Sequence, residues 1–178
     1  MNPTVTPDGV TPEFTESVAE FYANIPNQPQ SMDAAQSWRE LITEVKRLVY
    51  EIPIPIVVTK EDPYAGLAGL IDGIESERVL YVYSTAETGG HPVWTDSEND
   101  TFRAFHDYYG HYLPRLDFDR HSEDLTYRLH ARQLQRKGSL LALATETRGQ
   151  NSYLSHYGEF APQYIGYLPD WAITAGLS

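Results

Sequence analysis

Residues 31–52 read SMDAAQSWRELITEVKRLVYEI. Trp38, Leu41, Ile42, Val45, Leu48 and Val49 recur at steps of three and four, and Arg39, Glu40, Glu44, Lys46 and Arg47 fall mostly on the other side. That period defines an amphipathic α-helix with one buried stripe. Ser31 or Asp33 is placed to cap its start. On its N-terminal side, TESVAEFYANI (15–25) fits a short helix that NIPNQPQ (24–30) breaks. Residues 1–13 carry Pro3, Pro7 and Pro12 and few apolar groups, so a flexible N-terminal arm is expected there, followed by a single metal-binding domain over 14–178.

On the C-terminal side, IPIPIVVT (52–59) is β-branched and proline-punctuated, which predicts a strand at 55–59 near a sheet edge. YAGLAGLIDGI (64–74) predicts a short helix weakened by glycine, and RVLYVYST (78–85) a second strand. AETGGHPVW (86–94) reads as a loop. Thr95 and Glu98 form a capping box that opens a helix over 96–112. Two further helices are expected at 120–137, ending at Gly138, and at 139–147, where Gly149 suits the position just past a helix end. QNSYLSHYGEFAPQ (150–163) reads as loop, and 161–171 as one more short helical turn. The expected fold is α+β, with a small β-sheet and a mostly helical C-terminal half.

The chain has 178 residues, a length that suits one domain. It contains no cysteine, which excludes disulfides, thiolate nucleophiles, zinc fingers and iron–sulfur ligation by this chain. No basic region followed by an apolar run stands at the N-terminus, and no apolar run approaches membrane-spanning length, so neither a signal peptide nor a membrane partner is expected. A cytoplasmic location is the expectation. The formal charge is −12, from 25 acids against 13 Lys and Arg. This balance offers no basic surface for nucleic acid and fits a solvated acidic surface.

The chemistry concentrates at FHDYYGHYL (105–113). His106 and His111 stand five apart among aromatic residues, with Asp107 beside the first and Gly110 before the second. In a regular α-helix, five residues carry His111 about 140° around from His106, so the two imidazoles would not aim at one point. Gly110 lets the backbone distort and swing the second ring back. The pair can equally be two separate, partly buried histidines. Glu146 bears on that choice. It follows the apolar run LLALAT in the last turn of the expected helix, where the dipole disfavours an anion. A buried carboxylate there needs a cation. Arg148 or a metal shared with His106 and His111 would serve. Two imidazoles and one carboxylate suit Fe(II), favoured here over Zn(II) or Mn(II), with positions open for an organic cosubstrate.

Other polar residues gather nearby in sequence. Glu123 and His130 are seven apart, on one helical face and about 10 Å apart along the axis, which suits second-shell partners or ligands of a second metal. Arg148 and Gln150 are expected to position a substrate, and Asp107 to orient a ligand histidine or touch substrate. His91 is expected in a turn within reach of the site, and His121 and His156 at the surface.

HDYYGH (106–111) resembles the His-Glu-x-x-Gly-His of pterin-dependent aromatic amino acid hydroxylases. The resemblance implies a mononuclear iron held by His106, His111 and Glu146. Asp107 stands where that family has glutamate, the proline-rich lead-in is absent, and the chain is much shorter than that catalytic domain. More broadly, FRAFHDYYGH, SEDLTYRLHARQ, ATETRGQNS and APQYIGYLPDW, taken in order, resemble a domain of phage and mobile-element proteins, including large polyvalent polypeptides. That resemblance covers about residues 60–171 and implies a phage origin, a place in the host cytoplasm and a host protein as a partner. Three functions follow as expectations. The first is a metal-dependent oxygenase or hydroxylase acting on a small molecule or nucleotide. The second is a metal phosphohydrolase built on the His106-Asp107 dipeptide, with His91 before it and Asp117, Asp119 or Asp124 after it. The third is an acidic, non-enzymatic DNA mimic that blocks a host nuclease.

Overall fold

A computed structural model describes residues 5–6, 9–27 and 34–177. The expected caps Ser31 and Asp33 lie outside them. Helix α2 (Ala34–Tyr50) is the central element. Trp38, Leu41 and Val45 are fully buried along its apolar stripe, and Ile42 nearly so. It packs on α6 (Lys137–Ala144) and α4 (Asp96–Phe105). Helix α1 (Pro12–Ala23), capped by Thr11, packs on α7 (Gln150–Tyr157), and a short α8 (Asp170–Thr174) lies against α6. Within the expected arm, β1 (Val5–Thr6) pairs antiparallel with β2 (Gly9–Val10), and α1 already starts at Pro12.

The sheet is small, as expected. β3 (Ile56–Thr59) pairs in parallel with β4 (Leu80–Tyr83), in the register Ile56 to Leu80 through Thr59 to Tyr83. The crossover holds α3 (Leu67–Asp72) and a π-helical turn at Gly73–Glu77. Leu80 and Val82 bury against Leu70, Ile74, Ala104 and Tyr108, whereas Val57 and Val58 face solvent. Val49 and Tyr109 pack against both this cluster and the larger helical core. The fold is thus α+β and mostly helical. No helix among the described residues is long and apolar enough to cross a membrane.

Two helix ends differ from expectation. Helix α5 (Arg120–Gln133) stops four residues early, and α6 begins at Lys137. The buried carboxylate of Glu44 explains the restart: it accepts from Gln135 N (2.8 Å), Arg136 N (3.1 Å) and Ser139 Oγ (2.7 Å). The second difference is at Gly149, expected to end a helix. Its φ is −63°, and the chain runs on helically from α6 through a π turn (Thr145–Gly149) into α7. The helix stops at Gly158, whose φ is 73°. Gly149 serves packing instead: a Cβ there would lie 2.6 Å from the Tyr22 ring. The expected loop at 150–163 is therefore helical in its first half, and no helix forms over 161–169.

Burial pulls the Glu44 carboxyl up, but the bonds from Ser139 and the two backbone N–H groups outweigh it and hold the group below the ordinary range. A depressed folded pKa stabilises above the unfolded value, and that contribution fades as pH falls through the folded one. Glu44→Gln is expected to cost about 1–3 kcal/mol in denaturant unfolding at neutral pH. The gap should narrow below pH ~4, once wild-type Glu44 is itself protonated.

Candidate metal centre

The two histidines meet because the helix changes its hydrogen-bond step. Helix α4 opens with the expected Thr95–Glu98 capping box and passes without a break into a π-helical segment, His106–Tyr112. Leu113 N bonds Tyr108 O at 3.0 Å, and Leu116 N bonds His111 O at 3.2 Å, both five residues back. A π-helix stacks residues five apart, so His106 and His111 fall on one face. Gly110 permits the close approach of α5. A Cβ there would lie 2.4 Å from Thr126 Cγ2 and 2.8 Å from His130 Nε2, and the Gly110 carbonyl accepts from Thr126 Oγ1 at 2.8 Å.

The result is a cluster of His106, His111 and Glu123 whose ligand atoms lie within 4.8 Å of one another. The two Nε2 atoms are 2.9 Å apart. Glu123 Oε2 is 3.4 Å from His106 Nε2, and Oε1 is 3.5 Å from His111 Nε2. Two imidazole nitrogens bound at a right angle to one ion at ~2.1 Å would stand ~3 Å apart. Neighbours fix the ligands. His111 Nδ1 is 3.0 Å from Leu116 O, an acceptor only, so Nδ1 carries the proton and Nε2 presents its lone pair. Phe118 stacks on the His111 ring at 4.1 Å between centroids. Asn151 Nδ2 donates to Glu123 Oε2 at 2.8 Å.

Glu123 thus takes the place expected for Glu146. The connection from the π segment to α5 is short, so α5 folds straight back and sets its first turn beside His111. His130, two turns on, packs its ring on Phe105 (4.1 Å) and near His106 (5.5 Å). Both His130 ring nitrogens and His106 Nδ1 are buried without a hydrogen-bond partner among the described residues. Burial, then the imidazoles of His106 and His111, hold His130 far below its ordinary pKa.

Glu146 is not a member of that cluster. It lies inside a continuous helix rather than at a helix end, so the dipole argument does not apply to it. Among the described residues no arginine or lysine holds it. Oε1 accepts from Trp38 Nε1 (2.5 Å) and His91 Nε2 (3.0 Å), and Oε2 from Gln150 Nε2 (2.8 Å), with Gln163 Nε2 at 3.5 Å. His91 Nδ1 accepts from Val93 N and Trp94 N, which places its proton on Nε2, facing the carboxylate. Arg148, expected to touch substrate, is fully buried; it bonds Asp124 Oδ1 (2.7 Å) and Ala172 O (2.6 Å) and lies over the Tyr127 ring. Gln150 does reach the site. His106, Glu146, Gln150 and Asn151 share one cleft of about 180 Å³. Asp107 opens on a different cleft, with Asp62, Tyr64 and Phe118, and burial pushes its carboxyl up to about 6. The dipeptide expected of a His-Asp phosphohydrolase therefore does not supply its aspartate to the cluster. His121 and His156 are exposed, as expected.

Comparison with known proteins gives no match: no family model, no curated protein and no solved structure corresponds to the chain.

Burial pulls His106 down, but the Glu123 carboxylate outweighs it and holds the imidazolium above the ordinary histidine value. Burial and the facing His106 push His111 down to about 4. The proton that competes with an ion is then the one on His106. Divalent-ion affinity is expected to fall about tenfold per pH unit below the His106 pKa and to level off above it, in competition titrations with a chelating dye. Separately, Gly110→Ala is expected to cost about 1–3 kcal/mol in stability, because the methyl group meets Thr126 and His130.

Proposed function

We propose that the protein is a metal-dependent enzyme with one mononuclear centre, of the non-haem iron oxygenase class. The supporting observation is the pair of imidazole nitrogens 2.9 Å apart with a carboxylate at 3.4–3.5 Å from them. Two histidines and one carboxylate with open positions are the donor set of such oxygenases, which favours Fe(II) over Zn(II) or Mn(II). When bound, the ion would supply a Lewis acid and a site for O2 and an organic cosubstrate. His106 and His111 bind through Nε2. Leu116 O keeps the His111 proton off the binding nitrogen. Asn151 orients Glu123, whose charge offsets part of the cation's. The cleft shared by His106 and Glu146 admits a small molecule or part of a nucleotide. The resemblance to phage and mobile-element polypeptides supplies the proposed setting, the cytoplasm of an infected host.

One observation favours a second reading, hydrolysis. Glu146 shares the cleft with His106 and can accept a proton as a general base toward a bound water.

Anaerobic titration with Fe(II) is expected to give one ion per chain, lost in His106→Ala and Glu123→Ala and kept in Asp107→Asn. Full occupancy of the His106→Ala variant would overturn the centre itself. Oxygen consumption by the Fe(II) protein supports the oxygenase class. Phosphate release from a nucleotide panel with Mn(II), without oxygen use, moves the assignment to the hydrolase.

A further inference from the structure

Glu146 is a nearly buried carboxyl group held by hydrogen-bond donors. Its side chain is 3% exposed. Its partners Trp38, His91, Gln150 and Gln163 donate hydrogen bonds, yet no arginine or lysine contacts it among the described residues. Arg103 lines the same cleft but points its two terminal nitrogens at Tyr83 O (2.7 Å) and Thr88 Oγ1 (2.8 Å). A buried carboxylate attracts whatever positive charge or N–H group can reach it. The partners of Oε2, Gln150 and Gln163, both line the cleft, and the Gln163 contact is long at 3.5 Å.

Across the cleft stands Asn99. It is 6% exposed, and its amide makes no side-chain hydrogen bond among the described residues. Phe102 adds a flat apolar wall. The volume, about 180 Å³, is below the ~300–1,000 Å³ of pockets that enclose a whole drug-sized ligand. One planar group, or the end of a chain, would fill it.

We infer that this cleft is a recognition site for a planar group with adjacent N–H donors, either an amidine or guanidine or the amino edge of a nitrogen heterocycle, with Glu146 as acceptor and Asn99 as the second polar contact. This deepens the enzymatic reading and rests on it, since the cleft is the one on which His106 opens. It departs from the sequence expectation that Arg148 would draw a ligand here: Arg148 bonds Asp124 and Ala172 O and does not line the cleft, whose buried acceptor is Glu146.

Recognition can be tested without metal. Metal-free protein is titrated with guanidinium, acetamidine, cytosine and, as the anionic control, acetate, and the Trp38 indole N–H and Asn99 amide signals are followed by NMR. Guanidinium and acetamidine distinguish a charged amidine ligand from cytosine, the neutral heterocycle. At least one of these three should shift both signals and acetate should not. Glu146→Gln should weaken the binding about 10- to 100-fold, the loss expected when a charged acceptor is removed. Asn99→Ala, which leaves the Glu146 partners in place, should weaken it as well. Fe(II) titration of the same two cleft variants should still give one ion per chain, since neither residue belongs to the metal cluster, so failure of the metal centre and failure of the recognition site give different results. Equal affinity in wild type and both cleft variants, tighter binding of acetate, or no shift with any donor would overturn the proposal.

Discussion

The candidate centre depends on a single backbone choice, hydrogen bonds that reach five residues back along 106–112. With the ordinary four-residue step, the two imidazoles would point well apart. With the five-residue step, their Nε2 atoms stand 2.9 Å from each other. Such segments are rare because their hydrogen-bond geometry is less favourable, and they occur often at functional sites. Here the neighbouring contacts hold the segment in place. Gly110 lets α5 approach, Thr126 bonds the Gly110 carbonyl, and the Leu116 carbonyl takes the His111 proton.

Two buried carboxylates show two ways of living without water. Asp124 lies in the core and is met by guanidinium groups, Arg148 at 2.7 Å and Arg128 at 2.8 Å, with Arg120 at 3.9 Å. Glu146 lies at a cleft and is met by an indole, an imidazole and amides. The first arrangement locks α5 to the turn before α7. The second holds the carboxylate still and keeps its charge available. Arg148 is therefore engaged in the core, and the cleft lining keeps Glu146 and Arg103 as its charged side chains.

Much of the helical plan was legible. The stripe of α2, the Thr95–Glu98 box and the two strands all express local periodicity or capping chemistry, which sequence carries directly. The pairing of His106 with His111 was legible only in part: Gly110 allowed the helix to leave its usual turn, but the same spacing also fitted two separate histidines. Glu146 was misread for a physical reason. Local pattern puts a helix end at Gly149, whereas its missing side chain makes room for Tyr22, an interaction 127 residues away in the chain that no local pattern encodes. With the helix running on, the dipole argument lost its footing, and the donors Trp38 and His91 come from distant segments. Glu123 had a readable signal: the short link after Tyr112 obliges α5 to double back, so its first turn must lie beside His111.

A turn closed over five residues holds one residue more than a turn closed over four. Removing a single residue between His106 and His111 would let the segment relax into an uninterrupted α-helix, with the aromatic residues before it in the same positions. The two histidines would then stand four apart, a spacing that keeps both rings on one face of an ordinary helix, so the extra residue sets where the pair points rather than whether a pair can form.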